Sequence, residues 1–303
     1  MKKIPQVLIT LIFGCLLFWG ARGRPEPTPA ATDQKVAAVV REEVSEEPDV
    51  KSFSFVDVEG NQYEAEYVPG VPLHSFESGQ MRDENGYKYY VDEAGARASR
   101  LGIDISRYQK SVDWQQIREF GIEFVIIRLG FRGYGEEGSL VLDEMYETHM
   151  IGALEAGLQV GVYFFSQAVS DEEAAAEAAF VLKYLEGHNI TGPVVFDTEE
   201  IKHDTARTDG LSRTQFTSNC IVFCDRILAA GYEPMIYTNM KWLAFTLESD
   251  KLIGYQKWYA DYEPFPQCPY EFSIWQYTES GTVPGIEGSV DLNIWFIEES
   301  PPH

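Results

Sequence analysis

The stretch Pro193-Val194-Val195-Phe196-Asp197-Thr198-Glu199-Glu200 is an apolar run that ends in carboxylates. Its three consecutive apolar residues predict the interior of a strand that is covered on both faces, as in a parallel sheet. Side chains alternate along a strand, so Asp197 and Glu199 would point to the same side, with Cα atoms about 6–7 Å apart. Two carboxylates this close repel each other, and the less solvated one should keep its proton to a higher pH. The stretch therefore predicts a strand that ends either in a pair of functional acids or in a solvated acidic loop.

Strand-like apolar runs recur through the rest of the C-terminal two thirds of the chain. The eight runs are Leu101–Ile105, Phe124–Leu129, Gln159–Phe165, Val194–Phe196, Met235–Tyr237, Trp258–Ala260, Phe272–Tyr277 and Val290–Ile294. Helical patterns separate the first five, at Val112–Phe120, Leu142–Ala156, Asp171–Leu185 and Thr214–Ala230. This alternation predicts a parallel sheet with helices outside it. Because the last three runs are too closely spaced for full helices between them, we expect an irregular TIM-like α/β barrel over residues 101–298.

The first 23 residues match an export signal. Met1-Lys2-Lys3 precedes a mostly apolar run, Val7 to Trp19, and the small residues Ala21 and Gly23 offer a cleavage site. The run is shorter than the roughly 17–25 residues of a membrane span. We therefore expect an extracellular or cell-surface protein whose leader is either a cleaved signal peptide or a retained membrane anchor.

Two further segments lie between this leader and the predicted barrel. Residues 24–51 combine Pro with acidic residues and lack aromatics, which is typical of a linker. Residues 52–100 show alternating aromatic and polar residues, interrupted by Glu59-Gly60-Asn61 and Glu84-Asn85-Gly86. This pattern predicts a small β-rich appendage of two or three hairpins, which is too short for a strong core of its own and should pack against the barrel.

Charge and cysteine content exclude several classes of protein. The formal net charge is −24, and it becomes −27 without the leader, which holds three basic residues and no acidic ones. Phosphate backbones repel a chain with this much negative charge, and we therefore expect no nucleic-acid partner. Beyond the leader there are three cysteines, an odd number without CxxC or Cys/His zinc spacing, so neither a full disulfide framework nor a structural metal is predicted. We expect a monomer that uses no cofactor.

Polar and aromatic residues follow most of the predicted strands, where barrels of this class carry their functional groups. They are Asp104 on the first strand, Tyr163 on the third, Asp197 and Glu199 on the fourth, Tyr237 on the fifth, Asp261 on the sixth, Trp275 and Gln276 on the seventh, and Asp291 on the eighth. Aromatic faces suit sugar rings, and acids and amides suit hydroxyl groups. A protonated acid beside an ionised one is the arrangement used to cleave glycosidic bonds.

Several short motifs together resemble the glycoside hydrolase family 25 muramidases. They are Gly-Ile-Asp-Ile-Ser at 102–106, Trp114, Val-Phe-Asp-Thr-Glu at 195–199, Trp-Gln-Tyr at 275–277 and Asp-Leu-Asn-Ile at 291–294. The resemblance covers roughly residues 101–298. It implies a (β/α)5β3-type barrel and hydrolysis of the β-1,4 bond between N-acetylmuramic acid and N-acetylglucosamine in the glycan strands of peptidoglycan.

The resemblance also implies residue roles. Glu199 corresponds to the proton donor and Asp197 to its charged partner, which would orient either the acetamido group of the substrate or a water. Asp104 and Asp291 correspond to the remaining acids of the family. We expect them to orient or bind the substrate rather than to act as a second general acid. Tyr163 and Tyr237 would line the sugar subsite. Arg132 would either meet a carboxylate of the substrate or be a surface loop arginine.

Three alternatives remain open at this stage. A chitinase-like enzyme would use the same pair of acids on plain N-acetylglucosamine polymers, although the Asp-rich strand expected there is apolar here. A glycan-binding surface protein would bind the same polymers without cleaving them. A metal site could be built from Asp197, Glu199, Glu200 and His203.

Overall fold

The computed structural model describes residues 51–297. The predictions for the leader and for most of the linker therefore lie outside the described residues. Between residues 51 and 297, no helix is both long and apolar enough to span a bilayer.

Thirteen strands and four α-helices make up the described part of the chain. The strands are β1 (Ser52–Val56), β2 (Gln62–Glu66), β3 (Met81–Glu84), β4 (Tyr87–Tyr90), β5 (Ser99–Ile105), β6 (Phe124–Arg132), β7 (Leu140–Leu142), β8 (Gln159–Ser166), β9 (Val194–Thr198), β10 (Pro234–Asn239), β11 (Gln256–Ala260), β12 (Ile274–Gly281) and β13 (Val290–Phe296). The helices are α1 (Trp114–Phe120), α2 (Tyr146–Glu155), α3 (Asp171–Leu185) and α4 (Arg213–Ala229).

Eight of these strands close into a barrel, in the order β5-β13-β12-β11-β10-β9-β8-β6 and back to β5. They correspond to the eight predicted runs, so the prediction of an α/β barrel is confirmed. Strand β13 runs antiparallel to both of its neighbours, whereas the other pairs around the ring are parallel. The short β7 pairs antiparallel with the end of β6 and lies outside the ring.

The four helices follow the predicted positions, and local sequence sets their ends. Ser170 caps α3 by accepting a hydrogen bond from the Glu173 amide, in front of three acidic residues that suit the positive end of a helix. Gly121 ends α1 with φ of 112°, a left-handed conformation that favours glycine. Between β10 and β11 the chain forms only a π-helical turn at Trp242–Thr246 and a 3-10 turn at Ser249–Leu252. The fifth crossover is thus reduced to short turns.

Two apolar clusters lie on the two sides of the barrel wall. The inner one fills the barrel with large side chains, among them Phe124, Met235 and Trp258. A Cβ on Gly102 would lie 2.3 Å from the Phe124 ring, which explains the glycine of the Gly-Ile-Asp motif. The outer cluster joins the outward faces of the strands to the helices and to the segment before β5.

Residues 51–98 form two hairpins, β1–β2 and β3–β4, as the alternation predicted. Asn85 and Gly86 have positive φ values of 58° and 88° at the tight turn of the second hairpin. Phe55 of the first hairpin is buried in the core that also contains the barrel strands. The hairpins therefore pack against the barrel and share its core.

Candidate active site

Polar side chains from several strands meet around Asp104 of β5. One of its carboxylate oxygens, Oδ2, accepts hydrogen bonds of 2.8 Å from both Gln276 Nε2 and Asn293 Nδ2. The amide of Gln276 is held in turn, because its Oε1 accepts from the hydroxyl groups of Tyr237 at 2.9 Å and Tyr262 at 3.2 Å. Both amides are buried, so the donors that reach Asp104 are fixed in direction.

Asp291 lies beside Asp104 across the β5–β13 pair, where their Cα atoms are direct partners. Burial, the charge of Asp104 and a hydrogen bond between the two side chains raise the pKa of Asp291 to about 9. Burial also raises the pKa of Asp104, and the hydrogen bonds it accepts act in the opposite direction. Burial thus raises the pKa of both acids, and the charge of Asp104 adds to the rise at Asp291.

Asp197 lies in β9, and Glu199 directly follows the last residue of this strand, Thr198. Burial, then the charges of Glu199 and Asp104, raise the pKa of Asp197 well above its ordinary value. Burial also raises the pKa of Glu199 to about 7, while the charge of Lys202 lowers it. Asp197 is the more deeply buried of the two, and its buried Oδ1 has no hydrogen-bond partner. Burial thus raises the pKa of both acids, and the division between a protonated Glu199 and an ionised Asp197 stays a prediction.

Tyr163 and Tyr237 lie inside the barrel below these acids. Each ring meets Trp258 edge to face, with centroid distances of 6.0 Å and 4.7 Å respectively. Burial raises the pKa of both tyrosines well above 10, so both hydroxyl groups remain hydrogen-bond donors. The structure brings Asp104, Asp197, Tyr163, Tyr237 and Gln276 together in one polar cluster.

Arg128 of β6 belongs to this cluster but was not singled out from the sequence. Its Nε donates to Asp143 Oδ2 at 2.6 Å, and its buried Nη2 has no hydrogen-bond partner. The positive charge of Arg128 lowers the pKa of Asp197 and of Tyr163, against the effect of burial. A lone arginine within the apolar run Phe124–Leu129 was the available signal, because a charge in a buried strand needs a partner.

A cavity of about 320 Å³ opens beside the cluster, on the side of β9, β10 and β11. Glu199, Tyr237 and Asp261 line it, and so do residues 55–59 of the first hairpin. The carboxylate of Asp261 accepts hydrogen bonds from the Tyr259 hydroxyl at 2.7 Å and from the Gln267 amide at 2.9 Å. Asp261, predicted to bind substrate, is therefore engaged in holding the loop that follows β11.

Two other predicted binding residues lie away from the site. Trp275 is 0% exposed and packs on the outside of the barrel against Tyr277, with its Nε1 donating to the Asp261 carbonyl at 2.7 Å. The alternation of β12 explains this position, since Gln276 faces the interior and its neighbour must face outward. Arg132 is buried, and its guanidinium donates to Glu177 Oε1 at 2.6 Å and to the Gly138 carbonyl at 2.7 Å. It is neither a surface arginine nor free to meet a substrate.

Within residues 51–297, no group of three or more His, Cys, Asp and Glu side chains is arranged to hold a metal ion. The three cysteines of this region, Cys220, Cys224 and Cys268, are buried and unbonded.

Comparison with known proteins places this site in a family. The model of Glycosyl hydrolases family 25 matches residues 103–286. The autolytic lysozyme of Clostridium acetobutylicum is 30% identical over 193 residues, which cover 63% of this chain and 54% of that protein. Lysozyme M1 of Streptomyces globisporus is 28% identical over 208 residues, covering 63% of this chain and 66% of that protein. The chain thus spans between one half and two thirds of the length of these two relatives.

Among solved structures, the bacterial lysozyme from Streptomyces coelicolor superimposes with a TM-score of 0.54 at 26% identity, covering 64% of this chain and 90% of that one. The region that the family model matches begins within β5, contains β6 to β12 and includes Asp104, Asp197 and Glu199, whereas β13 with Asp291 lies beyond it. Because the family model covers more than half of the chain, the resemblance seen in the motifs is confirmed. The chain belongs to Glycosyl hydrolases family 25.

Proposed function

We propose that this protein is a lysozyme-type muramidase, which hydrolyses the β-1,4 bond between N-acetylmuramic acid and N-acetylglucosamine in peptidoglycan. The observation that carries the proposal is the pair Asp197–Glu199 at the end of β9, where Glu199 lines a cavity and has a pKa raised to about 7. The names of the matched relatives, an autolytic lysozyme and lysozyme M1, support the choice of substrate.

Glu199 is the general acid in this proposal. Its raised pKa keeps a proton on the carboxyl group near neutral pH, and that proton goes to the glycosidic oxygen as the bond to the anomeric carbon breaks. A water then supplies the hydroxyl group of the new reducing end, and its remaining proton returns to the Glu199 carboxylate.

Asp197 is the partner that meets the positive charge developing on the sugar. Its Oδ1 has no hydrogen-bond partner in the protein, so it can accept a hydrogen bond from the acetamido N–H of the substrate or from a water. The charge of Arg128 favours the ionised form of Asp197 once a donor satisfies that oxygen. Asp104, Asp291, Tyr163, Tyr237 and Gln276 form the fixed floor against which the sugar is oriented.

The reaction takes place outside the cytoplasm in this proposal, because peptidoglycan lies there. The export-like segment at residues 1–23 supports that location, either as a cleaved signal or as a membrane anchor, with the barrel acting as a monomer.

The test is to offer the purified protein peptidoglycan and chitin, then to count and identify the new reducing ends. We expect muramic acid ends from peptidoglycan. Glucosamine ends alone would contradict the muramidase and favour a chitinase-like enzyme, and binding without any new ends would favour a glycan-binding protein. Activity that a chelator abolishes would instead support a metal site.

Substitution of the general acid tests its role. Glu199→Gln should lower kcat by about 10²–10⁴-fold with an unchanged circular dichroism spectrum, because the amide cannot donate the proton. Glu172→Gln, on the exposed face of α3, is the matched control and should retain full activity. Full activity in Glu199→Gln would contradict the assignment.

A further inference from the structure

The hairpin β1–β2 precedes the region that the family model matches, yet it is fixed against the barrel. Phe55 is 1% exposed and stacks on Tyr63 with ring centroids 5.2 Å apart. Phe245, from the π-helical turn after β10, packs against the same two rings at 6.1 Å and 5.9 Å. Burial of Phe55 and the contacts of these rings hold the hairpin against the turn that follows β10.

A second attachment joins the hairpin to the end of β11. The side chain of Gln267 accepts a 2.7 Å hydrogen bond from the Val56 amide and donates one of 2.8 Å to the Val56 carbonyl. The backbone amide of Gln267 in turn donates to Asp261. Both backbone groups of Val56 are therefore paired with a loop that a barrel strand positions.

The tip of the hairpin is ordered by Asp57. Its carboxylate accepts hydrogen bonds of 2.9 Å from the amides of Glu59 and Asn61, and one of 3.0 Å from the Tyr63 hydroxyl. Gly60, with φ of 84°, provides the left-handed residue of the turn. These bonds fix the tip before any ligand arrives.

This fixed tip faces the cavity that Glu199 lines. Residues 55–59 form one wall, and Tyr237, Asp261 and Tyr262 lie among the lining residues contributed by the barrel. An ion pair of 2.7 Å between Glu59 and Lys202 joins the tip to the segment that follows β9. Both partners are about half exposed, so the pair contributes little to stability and mainly fixes how the tip meets that segment.

The arrangement of the acids tells which part of a substrate the cavity would hold. Among the four acids, only Glu199 lines the cavity, whereas Asp104, Asp197 and Asp291 interact with one another in the barrel mouth. If Asp197 faces the sugar that develops positive charge, the oxygen that Glu199 protonates lies between that sugar and the cavity. The sugar beyond this oxygen, which leaves on cleavage, then enters the cavity.

We propose that the hairpin β1–β2 forms one wall of a subsite for the leaving-group sugar, an N-acetylglucosamine unit in the proposed reaction. This inference rests on the proposed function. A cavity of about 320 Å³ is at the small end of the roughly 300–1,000 Å³ usual for ligand sites, and it suits a short part of a polymer. Its mixture of aromatic rings, amides and carboxylates matches the apolar faces and hydroxyl groups of a hexosamine.

The test compares two substrates with different leaving groups. One is a peptidoglycan glycan strand, and the other is an aryl glycoside that ends in muramic acid and releases a small phenol. Val58 lies at the hairpin tip, lines the cavity and is 51% exposed, so Val58→Trp fills the subsite without entering the core. We expect kcat/KM to fall about tenfold on the glycan strand and less than about twofold on the aryl glycoside.

Two further variants complete the experiment. Ile151→Trp, at a 49% exposed position on α2, is the matched control and should change neither substrate. Glu59→Gln breaks the ion pair with Lys202 without a change of side-chain size. Like Val58→Trp, it should lower kcat/KM on the glycan strand, chiefly by raising KM.

The inference is overturned if Val58→Trp leaves the glycan strand unaffected or slows both substrates equally. In either case the unaltered protein still releases muramic acid ends, so the proposed function stands. An unaltered protein that cleaves neither substrate would overturn the proposed function itself, and the subsite with it.

Discussion

Asp291 lies directly opposite Asp104 in the register of β13 and β5, and their carboxyl groups share a hydrogen bond. Strand β13 runs antiparallel to β5, so the first residues of β13 and the last residues of β5 lie at the same mouth of the barrel. Two acids that are far apart in sequence therefore meet at the barrel mouth. The raised pKa of Asp291 favours its neutral form, which avoids a second buried negative charge beside Asp104.

Asp291→Asn should make the protein less sensitive to alkaline pH. The folded-state pKa of Asp291 is about 9 against an ordinary 3.8, so between these values the folded protein binds more protons than the unfolded chain. Stability is therefore lost as pH rises through this window, and the variant lacks that loss. From pH 5 to pH 9, the free energy of unfolding of the variant relative to the parent should rise by more than about 1.4 kcal/mol, the equivalent of one pKa unit.

Urea unfolding at the two pH values measures this difference. Asp250→Asn, at an exposed position between β10 and β11, is the control and should show no such rise. A difference between variant and parent that stays constant with pH would show that Asp291 is not the proton carrier.

Lys202→Met should move the alkaline limb of activity to higher pH. Activity needs protonated Glu199, so kcat/KM falls as pH rises through its pKa of about 7. The charge of Lys202 lowers that pKa, and its removal should raise it. The pH profile of kcat/KM on peptidoglycan measures the shift. Lys241→Met is the control. It removes a lysine that pairs with Glu200 at 3.5 Å, and the alkaline limb of its pH profile should remain at the pH of the parent. A limb that moves to lower pH in Lys202→Met would contradict the assignment of Glu199.

Arg128→Met should lower kcat more than it changes KM. Arg128 holds down the pKa of Asp197, so its loss favours the protonated, less effective form of that acid. It also leaves the fully buried Asp143 carboxylate without its 2.6 Å partner. Arg128→Lys keeps the positive charge and should have a higher kcat than Arg128→Met. If the role of Arg128 were purely structural, Arg128→Met and Arg128→Lys would lose folded protein equally. Kinetics at a temperature where both remain folded separate these outcomes.

The periodicity of the sequence was sufficient to predict the barrel strands, including the strand at whose end Asp197 and Glu199 lie, because strands depend on local alternation. The same alternation, applied to β12, would have turned Trp275 outward as soon as Gln276 was placed inside. The antiparallel direction of β13 could not be predicted, since it depends on how the last connections cross the barrel. Arg132 was assigned to a loop, but it ends a strand and pairs with Glu177, which is 45 residues away. Likewise, the hairpin wall of the cavity depends on contacts such as Val56 with Gln267, 211 residues apart.

Arg132→Met should destabilise the fold while leaving the chemistry intact. The side chain of Glu177 is 0% exposed, and it accepts hydrogen bonds of 2.6 Å from both Arg132 and Ser166. Removal of the arginine leaves this carboxylate buried and unpaired, which costs about 3–5 kcal/mol in comparable cases. Because burial already raises the pKa of Glu177 to about 7, the cost should grow above that pH, where the unpaired carboxyl would otherwise ionise.

The double variant Arg132→Met/Glu177→Gln isolates the ion pair. A neutral amide needs no cation, so the double variant should be more stable than Arg132→Met alone, as measured by urea unfolding at pH 8. Well below the melting temperature, Arg132→Met should keep the KM of the parent for peptidoglycan, because the guanidinium contacts Glu177 and backbone carbonyls and does not line the cavity. A KM raised severalfold with little loss of stability would instead return Arg132 to the substrate-binding role that its sequence position suggested.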